Sequence, residues 1–114
     1  MSVKPESDIY EAATAKAAEI EAELKRLSRW DDQPLPEEKF VDMGAFGSHT
    51  MAFEQWTQFV LLPRIHDIIR EKGMFPSKSN VATYAIRNFD GDPDAERFCD
   101  LLYELDQLIN REAE

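Results

Sequence analysis

The chain has 114 residues, of which 43% are hydrophobic and 11% aromatic, and this composition is typical of one globular domain. Its formal net charge of −10 disfavours contact with phosphate, so we expect no direct nucleic-acid partner and no membrane partner. The single cysteine, Cys99, excludes an intrachain disulfide and fits a reducing compartment. The sequence shows no signal peptide and no long apolar run, so we predict a cytoplasmic protein.

The first predicted helix covers residues 6–28. Apolar side chains recur there at spacings of three and four, which places them on one helical face: Tyr10, Ala13, Ala17, Ile20, Leu24 and Leu27. The opposite face is rich in Glu and Lys. This pattern predicts an amphipathic helix with one side in the core.

Residues 29–50 form a predicted long loop, because prolines and glycines interrupt any periodicity. The loop is too apolar for a free linker, so we expect it to lie ordered across the helices. Its aromatic side chains are candidate anchors for a protein partner: Trp30, Phe40 and Phe46. The loop is long enough to span a helix, so the direction of the first helix relative to the second stays open.

We predict the second helix at residues 51–72, where apolar side chains cover most of the helical circumference. This helix is therefore expected to be central and the most buried. Thr50 is the predicted cap at its start, and Gly73 is expected just past its end. Pro63 lies inside this helix and lacks an N–H, so we predict a kink near residues 59–63.

Two further helices follow, the third ending near Phe89 and the fourth running to about Arg111. Asp92 is the predicted cap of the fourth helix, with Pro93 at the first helical position. No segment alternates with a period of two. We therefore predict an all-α fold, a single-domain four-helix bundle over residues 1–114.

Polar residues follow Pro63 directly. A structural interpretation is a polar strip in which Asp67 bridges Arg64 and Arg70, with His66 bound to a loop carbonyl. The alternative is a binding notch for a small molecule, in which Arg64 holds an anion and His66 acts as an acid or base. The notch would comprise Trp56, Phe59, Pro63, Arg64, His66 and Asp67.

The sequence contains no motif for known cofactor or metal chemistry, and we predict no cofactor and no metal. The stretch DGDPD at residues 90–94 fails as a calcium loop, because Ala95 and Leu101 occupy the positions of the required glycine and final carboxylate. His49, His66 and Cys99 lack zinc-ligand spacing. We interpret Cys99 as a small core residue and assign no catalytic residue.

The segment MAFEQWTQFVLLPRIHDII, residues 51–69, resembles the signature of the YqcC-like family of small bacterial proteins of unassigned function. The similarity lies in Glu54, Trp56 and Phe59, followed by an aliphatic run with proline that leads into Arg64-Ile65-His66. The resemblance implies a compact helical bundle. It also implies an association with tRNA pseudouridine synthesis, because genes of this family often neighbour that of a tRNA pseudouridine synthase.

Three functional hypotheses follow from these observations. The first is an interaction protein, or an accessory partner of an RNA-modifying enzyme. The second is a small-molecule binder or minor enzyme that uses the notch around Pro63, Arg64 and His66. The third is self-association, which leaves a monomer or a homodimer open.

Overall fold

The structure, a computed structural model, describes residues 5–113 of the chain and the side chains of residues 9–111. Within those residues it contains four helices and no β-strand: α1 (Pro5–Arg26), α2 (residues 53–71), α3 (Val81–Asn88) and α4 (Glu96–Ala113). The predicted all-α, single-domain fold is confirmed over this part of the chain. Residues 1–4 and 114 of the predicted domain lie outside the described residues. No helix between residues 5 and 113 has the length and apolar character needed to cross a bilayer.

Helix α2 consists of three consecutive segments. An α-helical turn, Phe53–Trp56, leads into a π-helical segment, Thr57–Leu61, which is followed by a second α-helical segment, Leu62–Glu71. The amide of Leu62 donates to the carbonyl of Thr57, five residues back. This wider turn lies directly before Pro63, whose ring would crowd a regular α-helical turn. The predicted kink itself stays a prediction.

The start of α2 differs from the prediction. The helix begins at Phe53, and the side chain of Gln55 accepts a hydrogen bond from the amide of Ala52 at 2.9 Å. Thr50 does not cap it, because its hydroxyl donates to the carbonyl of Lys39 at 2.6 Å. The prediction of Thr50 as the cap is therefore wrong, and the hydroxyl instead closes part of the long loop.

Contacts between the helix ends determine the topology. The Tyr10 hydroxyl donates to the carbonyl of Gly73 at 2.5 Å, so the start of α1 lies beside the end of α2. Arg29, just after α1, lies 3.8 Å from Glu54 at the start of α2. These contacts make α1 and α2 antiparallel. We call the two ends of the bundle the Tyr10 end and the Arg29 end.

Helices α3 and α4 continue the up-down-up-down order. Asp106, near the end of α4, accepts hydrogen bonds from the amides of Val81 at 3.0 Å and Ala82 at 2.8 Å, at the start of α3. At the Arg29 end, Arg29 pairs with Asp92 at 3.0 Å, just before α4. Helix α4 therefore runs antiparallel to both α1 and α3, and it packs extensively on each.

The core is continuous through all four helices, and its centre lies on α4 more than on α2. The largest side chains that are fully buried come mostly from α4 and α1: Phe98, Leu101, Leu102, Leu105, Ile20 and Leu24. Helix α2 contributes Leu62 and Thr57 to this group. The expectation that residues 51–72 would be the most buried helix is corrected accordingly. The apolar stripe of α4 faces both α1 and α3, which explains its burial.

The long loop leaves and returns at the Arg29 end, and it contains two short 3₁₀ turns, Glu37–Phe40 and Ala45–Gly47. Its apolar side chains Trp30, Met43 and Phe46 pack against the core. Gly47 is buried with a φ of 71°, and a side chain there would approach Met51 within 2.6 Å. The absence of a β-carbon therefore lets this part of the loop lie against the bundle.

Candidate functional site

The predicted polar strip of α2 lies on the surface. Pro63, Arg64, His66 and Asp67 are all exposed to solvent. Asp67 pairs with Arg70 at 2.7 Å, which is one half of the predicted bridge, and among the described ion pairs none involves Arg64. The strip is thus a solvated helix face with one ion pair three residues apart.

The two aromatic residues of the predicted notch are less exposed than its polar residues. Trp56 is buried, with its ring stacked on Phe53 at 5.7 Å and edge-on to Phe46 at 5.2 Å between centroids. Phe59 is half-buried. Trp56 therefore faces the core while His66 faces solvent. A small-molecule notch around Pro63, Arg64 and His66 stays a prediction.

The signature segment also fixes the long loop, through glutamines that the sequence reasoning did not single out. The side-chain amide of Gln58 accepts a hydrogen bond from the amide of Asp31 at 2.9 Å and donates to the carbonyl of the same residue at 2.8 Å. Gln55 donates to the carboxylate of Asp31 at 3.0 Å. Gln58 is buried in the π-helical segment. A polar residue among apolar neighbours was the sequence feature that could have indicated such a buried hydrogen bond.

The predicted partner anchors differ in exposure. Phe46 is half-buried and stacks on Tyr84, with 4.6 Å between ring centroids. Trp30 is half-buried, with the ammonium of Lys25 5.2 Å from its ring centroid. Phe40 is exposed, and so is the adjacent Val41. As contacts for a partner all three anchors stay predictions, and Phe40 is the one most open to solvent.

Arg29 connects the loop, α2 and the start of α4. Its guanidinium pairs with Asp92 at 3.0 Å and lies 5.7 Å from the ring centroid of Phe89. Its Nη1 atom is buried, lies 3.8 Å from the Glu54 carboxylate, and has no hydrogen-bond partner among the described residues. The hydrogen bond from Arg29 lowers the pKa of Asp92 below its ordinary value. Glu54 of the signature segment therefore belongs to this ion-pair junction.

Asp92 also caps the final helical segment, as predicted. Its carboxylate accepts a hydrogen bond from the amide of Asp94 at 3.1 Å, and the 3₁₀ turn Pro93–Ala95 leads into α4. The stretch DGDPD is thus a turn followed by a helix start. Among the described residues no group of three His, Cys, Asp or Glu side chains is arranged to hold a metal ion.

An open cleft of about 500 Å³ lies between the end of α3 and the first half of α4. We call it the acidic cleft, and define it by Ile86, Phe89, Asp90, Asp92, Glu96, Cys99, Asp100 and Tyr103. This cleft was not predicted from the sequence. Glu96, Cys99, Asp100 and Tyr103 recur at spacings of three and four, which was the available signal for a shared helical face.

Cys99 is half-buried in the acidic cleft, while it also packs against the core. Burial raises the pKa of the Cys99 thiol above its ordinary value, and the carboxylates of Asp100 and Asp92 raise it further. The thiolate, which is the reactive form, is therefore disfavoured. This position partly confirms the interpretation of Cys99 as a core residue and adds a wall of the cleft.

Comparison with known proteins identifies the family. The model of the DUF446 family, described as "tRNA pseudouridine synthase C", matches residues 12–108. An uncharacterized protein of Haemophilus influenzae is 24% identical over 95 residues, which cover 81% of this chain and 87% of that protein. The uncharacterized protein YqcC of Escherichia coli is 36% identical over 66 residues, covering 57% of this chain and 60% of that protein. No solved structure matches significantly.

The family model spans α2 and α3 completely, together with most of α1 and α4, so it covers most of the core. The segment that resembles YqcC-like proteins, residues 51–69, lies within the match. This small helical bundle therefore belongs to the DUF446 family, whose relatives include YqcC.

Proposed function

We propose that this protein is an accessory factor that acts by binding another protein, in association with tRNA pseudouridine synthesis. The observation that carries the proposal is the set of large apolar side chains exposed on an acidic surface: Phe40, Val41, Met74, Ile86 and Tyr103. Exposed aromatic and aliphatic side chains that share a concave surface are typical of protein-binding sites. Ile86 and Tyr103 share the acidic cleft.

The charge of the chain supports an indirect role at RNA. A net charge of −10 repels a phosphate backbone, so in this proposal the protein associates with tRNA only through its partner. The same charge favours a basic partner, and enzymes that bind tRNA carry basic surfaces for that purpose. The proposal puts the protein in the cytoplasm, which fits its single cysteine.

The description of the family supports an association with pseudouridine synthesis. We propose only this association, and no synthase activity of the chain itself. Within the described residues the chain forms helices and loops without a β-strand, and burial and nearby carboxylates in the acidic cleft disfavour the nucleophilic thiolate form of Cys99. We therefore propose that the catalytic residues of the modification reaction belong to the partner enzyme. This chain would affect its stability, its placement on tRNA or its activity.

Two measurements test the proposal. In the native host, deletion of the gene should lower the pseudouridine content of bulk tRNA at one or more positions, measured by mass spectrometry of nuclease digests. Expression of the wild-type chain should restore it. In addition, the purified protein should bind a purified tRNA pseudouridine synthase of the same host, with an affinity that falls as salt rises. Unchanged pseudouridine together with no synthase binding would refute the association.

A further inference from the structure

We propose that the acidic cleft binds a basic amphipathic segment of a partner protein, with an apolar anchor between Ile86 and Tyr103 and Lys or Arg side chains on the acidic rim. This inference rests on the proposed function, because it requires a protein partner.

The apolar part of the cleft is already exposed. Ile86 at the end of α3 is 55% exposed and Tyr103 on α4 is 54% exposed, although both are large apolar side chains. The half-buried Phe89 and Cys99 continue this apolar surface toward the core. A volume of about 500 Å³ is within the usual range for a binding pocket and would hold one or two side chains of a peptide.

The rim of the cleft is negative. Asp90, Glu96 and Asp100 are exposed at its edge, and none of them pairs with a Lys or Arg among the ion pairs that the structure describes. Asp92 differs, because Arg29 pairs with it. Three carboxylates with no cationic partner among the described residues surround an apolar surface, which is the complement of an apolar side chain flanked by Lys or Arg.

The environment of the Cys99 thiol indicates that the electrostatic potential in the cleft is negative. Apart from burial, the causes that raise its pKa are the nearby carboxylates of Asp100 and Asp92. Negative potential thus extends to the wall of the cleft, where a cationic group would be favoured. Arg97 on the neighbouring face of α4 lies toward Glu19 and Glu104, at 3.6 and 3.7 Å, and its charge is directed to those carboxylates.

The combination selects a peptide over other cationic ligands. A polyamine would satisfy the carboxylates but would leave the apolar surface of Ile86 and Tyr103 exposed. Nucleic acid carries the wrong charge. An amphipathic segment satisfies both parts, since its apolar face can enter the cleft while its basic side chains meet the rim.

The test uses the full chain and a random 16-residue peptide library displayed on phage. We expect the recovered peptides to carry net positive charge and to place Leu, Phe or Trp between Lys or Arg residues. A recovered peptide, labelled with fluorescein, then serves as the probe in anisotropy titrations. Spermidine at equal charge should compete weakly. Recovered peptides without net positive charge, no recovered peptides at all, or full displacement by spermidine would overturn the proposal.

Matched variants locate the binding site. The double variant Ile86→Ser/Tyr103→Ser should weaken peptide binding about tenfold or more, and Met74→Ser, at an exposed apolar residue near the Tyr10 end, should leave it within about twofold. Glu96→Gln/Asp100→Asn should weaken binding and flatten its salt dependence. Glu37→Gln/Glu38→Gln removes the same two charges from the loop and should do neither. Equal effects of the cleft and control variants would refute the assignment.

The cleft and the proposed function fail in different ways. If the synthase binds the wild-type chain and the variant Ile86→Ser/Tyr103→Ser equally, the protein is an accessory factor that uses another surface, and the inference about the cleft is refuted. If basic peptides bind the cleft but deletion of the gene changes no pseudouridine, the cleft inference stands and the association with tRNA modification falls.

Discussion

The side chain of Gln58 makes two hydrogen bonds to the backbone of Asp31. Its Oε1 accepts from the Asp31 amide at 2.9 Å, and its Nε2 donates to the Asp31 carbonyl oxygen at 2.8 Å. Gln58 lies in the π-helical segment of α2, and Asp31 lies near the start of the long loop. A side-chain amide that pairs with a backbone amide replaces the hydrogen bonds that the loop would otherwise make to water. The contact therefore fixes the path of the loop next to the Arg29 end.

Gln58→Glu should loosen this attachment. The carboxylate can still accept from the amide of Asp31 but repels its carbonyl oxygen, and the residue is buried, so we expect a loss of about 2 kcal/mol in unfolding free energy near neutral pH. Protonation of the introduced carboxyl restores a donor, so the loss should shrink on acidification. Urea unfolding at two pH values measures this. Gln107→Glu, at an exposed site on α4, is the control and should stay within about 0.5 kcal/mol.

Asp106 should be among the most sensitive polar residues of the chain. Its buried carboxylate binds the amides of Val81 and Ala82 and the hydroxyl of Ser79, so it caps α3 from another helix. Asp106→Ala leaves these donors without a partner and should lower the unfolding free energy by about 2–4 kcal/mol. Asp106→Asn keeps an acceptor and should lose less. If both variants unfold like wild type in urea, the cap does not stabilise α3.

Two helices end on residues other than glycine in the left-handed conformation. Ser28 follows α1 with φ 60° and Lys72 follows α2 with φ 52°, and in each case the next amide binds a carbonyl five residues back. Gly73 was predicted near this position, yet Lys72 holds the left-handed site. Lys72→Gly and Ser28→Gly should each stabilise the protein by about 0.5–1 kcal/mol, because glycine adopts positive φ without strain.

Glu71→Gly is the control for the end of α2. Glu71 is the last helical residue and is exposed, so glycine there should destabilise the protein by up to about 1 kcal/mol. Lys72→Gly should thus raise both the melting temperature and the urea midpoint, whereas Glu71→Gly should lower both. A shift in the same direction would contradict the role of the left-handed conformation.

Phe46 and Phe40 should separate packing from exposure. Phe46 contacts the rings of Phe53, Trp56 and Tyr84, so Phe46→Ala should cost about 2–3 kcal/mol of unfolding free energy. Phe40 is exposed, so Phe40→Ala should change stability by less than about 0.5 kcal/mol. Chemical denaturation of both variants measures this. A large loss for Phe40→Ala would show that the turn Glu37–Phe40 packs more tightly than its exposure indicates.

Acid should weaken one partly buried ion pair on α1, between the buried Glu23 and the exposed Arg26. Hydrogen bonds from Arg26, at 2.9 and 2.5 Å, lower the pKa of Glu23 below its ordinary value, and Glu23 is buried. A lowered pKa in the folded state means stabilisation that is present above the unfolded pKa and is lost as pH falls through the folded one. Glu23→Gln should therefore be less stable than wild type near pH 6, with a difference that shrinks toward about pH 3.

The comparison between wild type and variant isolates this pair from the rest of the charge. Protonation of the other carboxylates relieves repulsion in a chain of net charge −10, which changes the stability of both proteins alike. Glu38→Gln removes an exposed carboxylate from the loop and is the control for loss of one charge. A difference between wild type and Glu23→Gln that stays constant from pH 6 to 3 would contradict the assignment.

The sequence predicted the parts of this fold that depend on local periodicity. The seam through Ile20 and Leu24 on α1 and the stripe through Phe98 and Leu105 on α4 are buried as expected. The cap at Asp92 was predictable because it acts within a few residues. These features require knowledge only of neighbouring positions along the chain.

Features that join distant residues were not predictable in the same way. The antiparallel order of α1 and α2 rests on contacts such as that between Tyr10 and Gly73, and the loop length allowed either direction. The acidic cleft exists because the end of α3 brings Ile86 beside Tyr103 of α4. Periodicity places each side chain on a face of its own helix, but it does not say which faces meet.

The up-down-up-down order also brings the first turn of α1 and the last turn of α4 to the Tyr10 end, while Asp92 and the acidic cleft lie toward the Arg29 end. A fluorescent protein, an affinity handle or a solid support attached at the first turn of α1 or the last turn of α4 would therefore lie at the opposite end of the bundle from the cleft. Measurements on immobilised protein should then report the same affinities whichever of these two helices is tethered.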